Sequence, residues 1–324
     1  MPDKPKIGFY WCASCGGCEE SVVDLAEDIL AVTDAVDIIF WPVAMDFKRS
    51  DVEDMEDGSI LVSLINGAVR TSENEEMARL IRRKSKLVIA YGACAHLGGI
   101  PSLANEFKAS EILNYSYKDA PSVVNPEGTM PQEVFKSLGR DITLPAFRQM
   151  VRTLDQVIDV DYYLPGCPPT PKLLKAAVFA LLAGEVPPKG SVLAPDQALC
   201  DECPRKATKP EDIAFKHFYR PHQILADKDK CLLAQGLICM GPATRAGCEA
   251  LCISGNMPCT GCFGPTSRVK DQGAKMLSSI CSNMEAKEED QIDKVLEEIP
   301  DPVGTFYRYG LAASLLRKKV MGDN

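Results

Sequence analysis

The sequence predicts an α/β protein: a doubly wound parallel sheet followed by an irregular, cysteine-rich segment. Three observations carry that reading. From the N-terminus to about residue 185, short apolar strand-like runs alternate with stretches of helical periodicity, the pattern of a parallel sheet covered by helices. Gly184 to Pro195 is rich in proline and glycine and reads as a boundary. Beyond it, eight cysteines crowd between Cys200 and Cys262, in a segment with little periodicity and few core residues. The expected organisation is a sheet domain over 1–185, a cysteine-rich domain over 186–285 and a C-terminal helical segment over 286–324.

The first strand is Lys6–Trp11, and it feeds the loop Cys12-Ala-Ser-Cys15-Gly-Gly-Cys18. From Ser21 to Leu30 the apolar residues Val22, Val23, Ala26, Ile29 and Leu30 recur at helical spacing, which predicts a helix over 19–31. Further strands are expected at Val36–Val43, Ile60–Ile65, Lys86–Tyr91 and Val157–Leu164. Further helices are expected at Asn74–Lys84, Leu103–Leu113, Ala146–Leu154 and Pro171–Ala183. Amphipathic stretches at Asp290–Ile299 and Gly304–Val320 predict helical packing or docking surface at the C-terminus.

Composition bounds the function. The 324 residues are 46% hydrophobic and 25% charged, as in ordinary soluble globular proteins. A net charge of −9 argues against a nucleic-acid partner. The longest strongly apolar run, Ala176 to Ala183, is far short of the roughly 20 residues of a membrane span. No secretory signal precedes the first strand, so a cytoplasmic location is expected. In that reducing setting fourteen cysteines point to metal ligation and not to disulfides.

Doubly wound sheets bind ligands beyond the carboxyl ends of their strands. Cys15 and Cys18 follow the first strand, Cys94 follows Lys86–Tyr91, and Cys167 follows the strand ending at Leu164. Four thiols at one sheet edge suit one [4Fe–4S] cluster. The glycines of the first loop allow close approach, and a helix N-terminus there favours an anionic ligand. The eight later cysteines suffice for two more four-ligand sites, and metal is expected to help hold that segment together. Zinc is the rival there: Cys200-x2-Cys203 with Cys259-x2-Cys262 would make a four-cysteine structural site, in a scaffold protein without redox function. Cys12 and Cys281 are left as non-ligands. His96 lies two residues from Cys94, within expected hydrogen-bonding range of a cluster. His217 and His222 read as ordinary polar residues, and Glu19 as a first-turn acid.

The chain resembles the small subunit of [NiFe] hydrogenases. Cys15-Gly-Gly-Cys-Glu19, Gly92-Ala-Cys94 and Pro165-Gly-Cys-Pro-Pro169 are similar to that family's three proximal-cluster motifs. Cys239-Met-Gly-Pro242 and Pro258-Cys-Thr-Gly-Cys262 are similar to its later ones. The resemblance is greatest to the cytoplasmic F420-non-reducing (methyl-viologen-reducing) type, which works beside heterodisulfide reductase. It implies a flavodoxin-like first domain and three [4Fe–4S] clusters. The proximal cluster would take Cys15, Cys18, Cys94 and Cys167. The medial would take Cys248, Cys252, Cys259 and Cys262, and the distal Cys200, Cys203, Cys231 and Cys239. Better-known members begin the distal set with histidine where this chain has Cys200, and many have proline where Cys252 stands. The resemblance implies a partner large subunit that splits H2, since this chain lacks that subunit's paired Cys-x2-Cys motifs. It also implies an iron–sulfur acceptor subunit linked to heterodisulfide reductase. The related cluster-bearing subunit of quinone-reducing complexes is similar to the first domain only.

Overall fold

The computed structural model describes residues 4–286 and 288–316. Its strands are β1 (Lys6–Trp11), β2 (Asp37–Phe40), β3 (Ile60–Asn66), β4 (Val69–Thr71), β5 (Ser85–Tyr91), β6 (Val134–Ser137), β7 (Arg140–Thr143), β8 (Phe147–Arg152), β9 (Tyr162–Leu164) and β10 (Ser191–Val192). Six of them form one sheet in the order β10-β9-β5-β3-β1-β2, with every neighbouring pair parallel. The strand order reverses between β3 and β1, so the loop after β1 leaves the sheet where such folds open a crevice. β4 pairs with β8, and β6 with β7, as separate antiparallel ribbons. β10 lies beyond residue 185, inside the Pro/Gly-rich stretch.

The helices are α1 (Gly17–Val23), α2 (Asp28–Ala35), α3 (Arg49–Glu53), α4 (Ser72–Lys84), α5 (Gly92–Leu97), α6 (Ala109–Asn114), α7 (Pro171–Leu182), α8 (Leu199–Glu202), α9 (Leu251–Ser254), α10 (Gln272–Ser282), α11 (Glu289–Glu297) and α12 (Pro302–Phe306). Strand alternation sends side chains to both faces of the sheet. Phe9, Val62, Leu64, Ile89 and Leu164 pack under α1, α2 and α7 through Val22, Val32 and Leu174. Ile65, Val88 and Ala90 pack under α3, α4 and α5 through Val52, Ile81 and Ala95. A third core lies beyond the sheet. There Leu199, Phe215, Phe218, Met240 and Ile253 meet Val295, Phe306 and Leu311, so the C-terminal segment shares its core with the cysteine-rich segment. The segment also reaches the sheet: the Gly99 N–H donates to the Tyr309 carbonyl (2.9 Å), and Gln156 to that of Ala312 (2.9 Å).

Several expectations need correction. Residues 146–154 hold a strand, β8, where a helix was expected. Pairing with β4 supplies its backbone partners, and Asn105 brackets Val151 by accepting from its N–H and donating to its carbonyl. The helix expected over 19–31 is two helices, α1 and α2, broken where Ala26 takes φ of 50°. The helix expected over 103–113 is a 3-10 segment, Ile100–Glu106, and then α6, with Phe107 extended between them. Of the strand expected at 157–164 only β9 pairs; Val157 and Ile158 are buried in the loop before it. At the C-terminus α12 ends at Phe306, and Val320 lies outside the described residues. Among the described residues no helix is long and apolar enough to cross a membrane.

Candidate metal centres

The sheet edge gathers the first four thiols. Cys15 is exposed in the loop after β1, and Cys18 is buried in the first turn of α1. Cys94 is buried in α5, directly after β5, and Cys167 follows β9. The Ala93 N–H donates to the Gly166 carbonyl at 2.7 Å, locking the second and third loops together. Burial pushes the Cys18 thiol up, and Cys94, Cys167 and Cys15 add to the shift. Cys94 is pushed up to about 12 by burial, then by Cys167 and Cys15. Mutual influence of this kind means that the four sulfurs share one neighbourhood. Two left-handed glycines shape it. A Cβ on Gly92 (φ 84°) would sit 2.3 Å from the Cys18 sulfur, and one on Gly99 (φ 60°) 2.3 Å from that of Cys94. Neither position admits a side chain without moving a thiol.

The resemblance assigns the later eight to two groups, and the structure gathers one of them at a single hollow. Cys200, Cys203, Cys231 and Cys239 line one hollow, together with Arg205, Lys209 and Gly241. Cys200 is pushed up to about 12 by burial, against the lowering effect of Lys209. Cys262 is likewise pushed up to about 12, by burial first, then Cys167 and Cys248, with Cys252 contributing. Cys259 is raised by burial, then by Cys239 and Cys262. The four cysteines of the zinc alternative are therefore split, Cys200 and Cys203 in one group and Cys259 and Cys262 in the other. Among the described residues no group of three or more His, Cys, Asp or Glu side chains is arranged to hold a single metal ion.

The three groups are joined in series. Cys167 lies near enough to Cys262 to act on its thiol, raising its pKa. The Cys259 backbone N–H in turn donates to the Cys239 sulfur at 3.4 Å. One contact thus links the first group to the second, and another links the second to the third.

The donor set fits iron–sulfur clusters. All the cysteines in these groups are free thiols, Gly92 and Gly99 leave the space beside the Cys18 and Cys94 sulfurs that a Cβ would take, and thiolate is the ligand such clusters take. A raised thiol pKa means that ligation must displace protons.

The other residues singled out in the sequence lie as follows. Cys12 is buried in the sheet core, pushed up to about 12 by burial, and Cys281 is exposed on α10. His96 is half-buried with its ring 4.6 Å from that of Tyr163, its buried Nδ1 has no partner among the described residues, and burial lowers its pKa to about 4. His217 bonds Glu298 at 2.8 Å on the surface, and His222 is exposed. Glu19 is more than a first-turn acid: its carboxylate is buried and accepts from the Trp41 indole and the Asn66 amide. Burial raises its pKa, and those two hydrogen bonds oppose the shift. Sequence reasoning missed Trp41 and Asn66 because both contacts are long-range.

Comparison with known proteins places these features in a family. A family model described as NADH ubiquinone oxidoreductase, 20 Kd subunit, matches residues 15–181, the span of the sheet and its four thiols. An F420-non-reducing hydrogenase iron-sulfur subunit of Archaeoglobus profundus is 39% identical over 318 residues, covering 97% of this chain and 98% of that one. An F420-non-reducing hydrogenase subunit of Methanothermobacter thermautotrophicus is 40% identical over 326 residues, covering 100% and 99%. Among solved structures, the [NiFeSe] hydrogenase of Desulfovibrio vulgaris Hildenborough shares the fold with a TM-score of 0.53, over 82% of this chain and 95% of that one, at 17% identity. The likeness to the two archaeal relatives runs through the cysteine-rich segment as well as the sheet, so the chain belongs to the hydrogenase small-subunit family, in the group of the F420-non-reducing hydrogenase iron-sulfur chains.

Proposed function

We propose that this chain is the electron-relay subunit of a cytoplasmic [NiFe] hydrogenase, carrying electrons from H2 oxidation on a partner large subunit to an iron–sulfur acceptor subunit linked to heterodisulfide reductase. Three [4Fe–4S] clusters would be held: the proximal by Cys15, Cys18, Cys94 and Cys167, the medial by Cys248, Cys252, Cys259 and Cys262, the distal by Cys200, Cys203, Cys231 and Cys239. The observation that carries this reading is the serial arrangement of the thiol groups. The Cys259 N–H donates to the Cys239 sulfur at 3.4 Å, and Cys167 acts on the Cys262 thiol, which supports a path for electrons between neighbouring groups. When bound, the clusters supply one-electron carriers whose potentials depend on ligands, hydrogen bonds and burial. The chain's own residues hold the thiols in place, donate backbone hydrogen bonds to sulfurs such as that of Cys239 and bury Cys18, Cys94, Cys239 and Cys259 away from water.

The test is metal content and partner dependence together. Anaerobically purified chain should carry about twelve irons, three four-iron clusters, with an equal amount of labile sulfide. It should turn over H2 only in complex with a nickel-bearing subunit. Stoichiometric zinc with little iron, or H2 uptake by the nickel-free chain, would overturn the reading.

A further inference from the structure

Arg205 is buried, with 6% of its surface exposed. Its guanidinium donates to three acceptors: the Ile253 carbonyl (2.8 Å), the Asn256 amide oxygen (2.9 Å) and the Lys230 carbonyl (3.4 Å). All three are neutral. Among the described residues no carboxylate forms an ion pair with it; the nearby Asp227 pairs with Lys230 at 3.2 Å and accepts from the Asp229 N–H. Asp227 feels the Arg205 charge but is exposed and shared with Lys230, so the buried cation has no buried counter-charge of its own, and native proteins pair such charges. Arg205 lines the hollow formed by Cys200, Cys203, Cys231 and Cys239. A cluster bound there by four thiolates is an anion. Lys209 lines the same hollow but is exposed to water, so its field is screened.

We propose that Arg205 is the internal counter-charge of the distal centre: its buried guanidinium favours the reduced, more negative form of the cluster and so raises the potential at the outer end of the relay. This rests on the assignment of an iron–sulfur cluster to that hollow. Arg205 acts through the field it places on the site, as a positioning residue and not as a ligand. It also ties the loops bearing Cys203, Cys231 and Cys252 to one another, so its truncation has a structural consequence that any test must separate from the electrostatic one.

Two variants separate them. Arg205→Gln removes the charge and keeps a donor for the Ile253 carbonyl. Asn256→Asp is isosteric and sets a carboxylate against an intact guanidinium. In the native complex, the distal midpoint potential is read by redox titration followed by electron paramagnetic resonance, with iron counted in each preparation. Both variants should keep their iron and show a midpoint shifted to more negative potential, by at least a tenfold change in the one-electron reduction equilibrium, which is about 59 mV. Arg205→Lys should recover most of the parent value, and Lys209→Met should shift it less than Arg205→Gln. If the Gln variant sheds its cluster while the Lys variant keeps it, the charge is again what matters. Unchanged midpoints in variants with full iron, or equal loss of iron from the Lys and Gln variants, would overturn the proposal. The underlying assignment is checked separately in Cys231→Ala, which should lack about four irons per chain; full iron there would remove the cluster itself.

Discussion

The two halves of the molecule reach a defined shape by different means. The sheet half has an apolar core on each face, with strands and helices long enough to bury complete side-chain layers such as Val62, Leu64, Ile81 and Leu174. Its thiols sit at an edge that hydrophobic burial already positions. The cysteine-rich half, by contrast, is built from short pieces: α8 and α9 span only Leu199–Glu202 and Leu251–Ser254. Cys239 and Cys259 are themselves members of its core. In the first half the thiols lie at the edge of the core, and in the second some of them are part of it.

The sharpest way to break that contrast is to remove the metal. Iron-depleted protein should keep slow amide exchange in β1, β3 and β5, because their burial is independent of any ligand. Exchange across 199–262 should become fast, because ligation there contributes folding free energy. Equal protection of both halves in depleted protein, measured by hydrogen–deuterium exchange and mass spectrometry, would show that the second core stands on its own.

A smaller effect is expected from changing the shape of the first site without touching a ligand. Gly92 and Gly184 both have positive φ, 84° and 73°, but a Cβ at 92 meets the Cys18 sulfur whereas one at 184 meets nothing within 4 Å. Gly184→Ala should cost only the backbone strain, about 1–2 kcal/mol. Gly92→Ala carries the same strain and also forces the Cys18 sulfur to rotate out of its group. It should leave about four irons fewer per chain while the sheet stays folded. The comparison needs iron analysis and thermal denaturation of the two variants. Full iron in Gly92→Ala would mean that the proximal loops are looser than the sheet beneath them.

Legibility in the sequence follows the same division. β1 was readable to the residue, and β3, β5, α4 and α7 nearly so, because each declares itself by local periodicity. The four sheet-edge thiols were readable because strand ends and glycines flank them. β8 was not readable: Phe147–Arg152 is a strand only because β4, distant in sequence, offers it a partner. The break at Ala26 depends on a single backbone conformation that no residue pattern announces. In the second half neither strands nor helices marked positions, so the sequence left its eight thiols open between one zinc site and two clusters. The hollow shared by Cys200, Cys203, Cys231 and Cys239 is lined from loops distant in sequence, and the burial of Arg205 depends on loops as far apart as Lys230 and Asn256. Both are products of tertiary structure.

The finest test of the contrast lies at one thiol. Cys252 is exposed, in the first turn of α9, whereas Cys259, proposed for the same cluster, is buried. Loss of a buried ligand should take the surrounding core with it; loss of Cys252 should not, because its side chain supports no packing. Its carbonyl accepts from the Met257 N–H at 2.9 Å, a backbone bond that Cys252→Ala retains. Without that thiolate one iron of the medial cluster lacks its protein ligand, so the variant should bind about one iron fewer per chain. The remaining three-iron centre carries less negative charge from its ligands and should be reduced at higher potential, because cluster potential follows type and net charge. Electron transfer onward to a low-potential acceptor should then slow more than transfer to a high-potential dye, with the exchange protection of 199–262 unchanged. The measurement is the paramagnetic signal of an oxidised three-iron cluster, present in Cys252→Ala and absent in the parent. Full iron and no such signal would remove Cys252 from the medial set, and the fourth ligand would have to come from elsewhere.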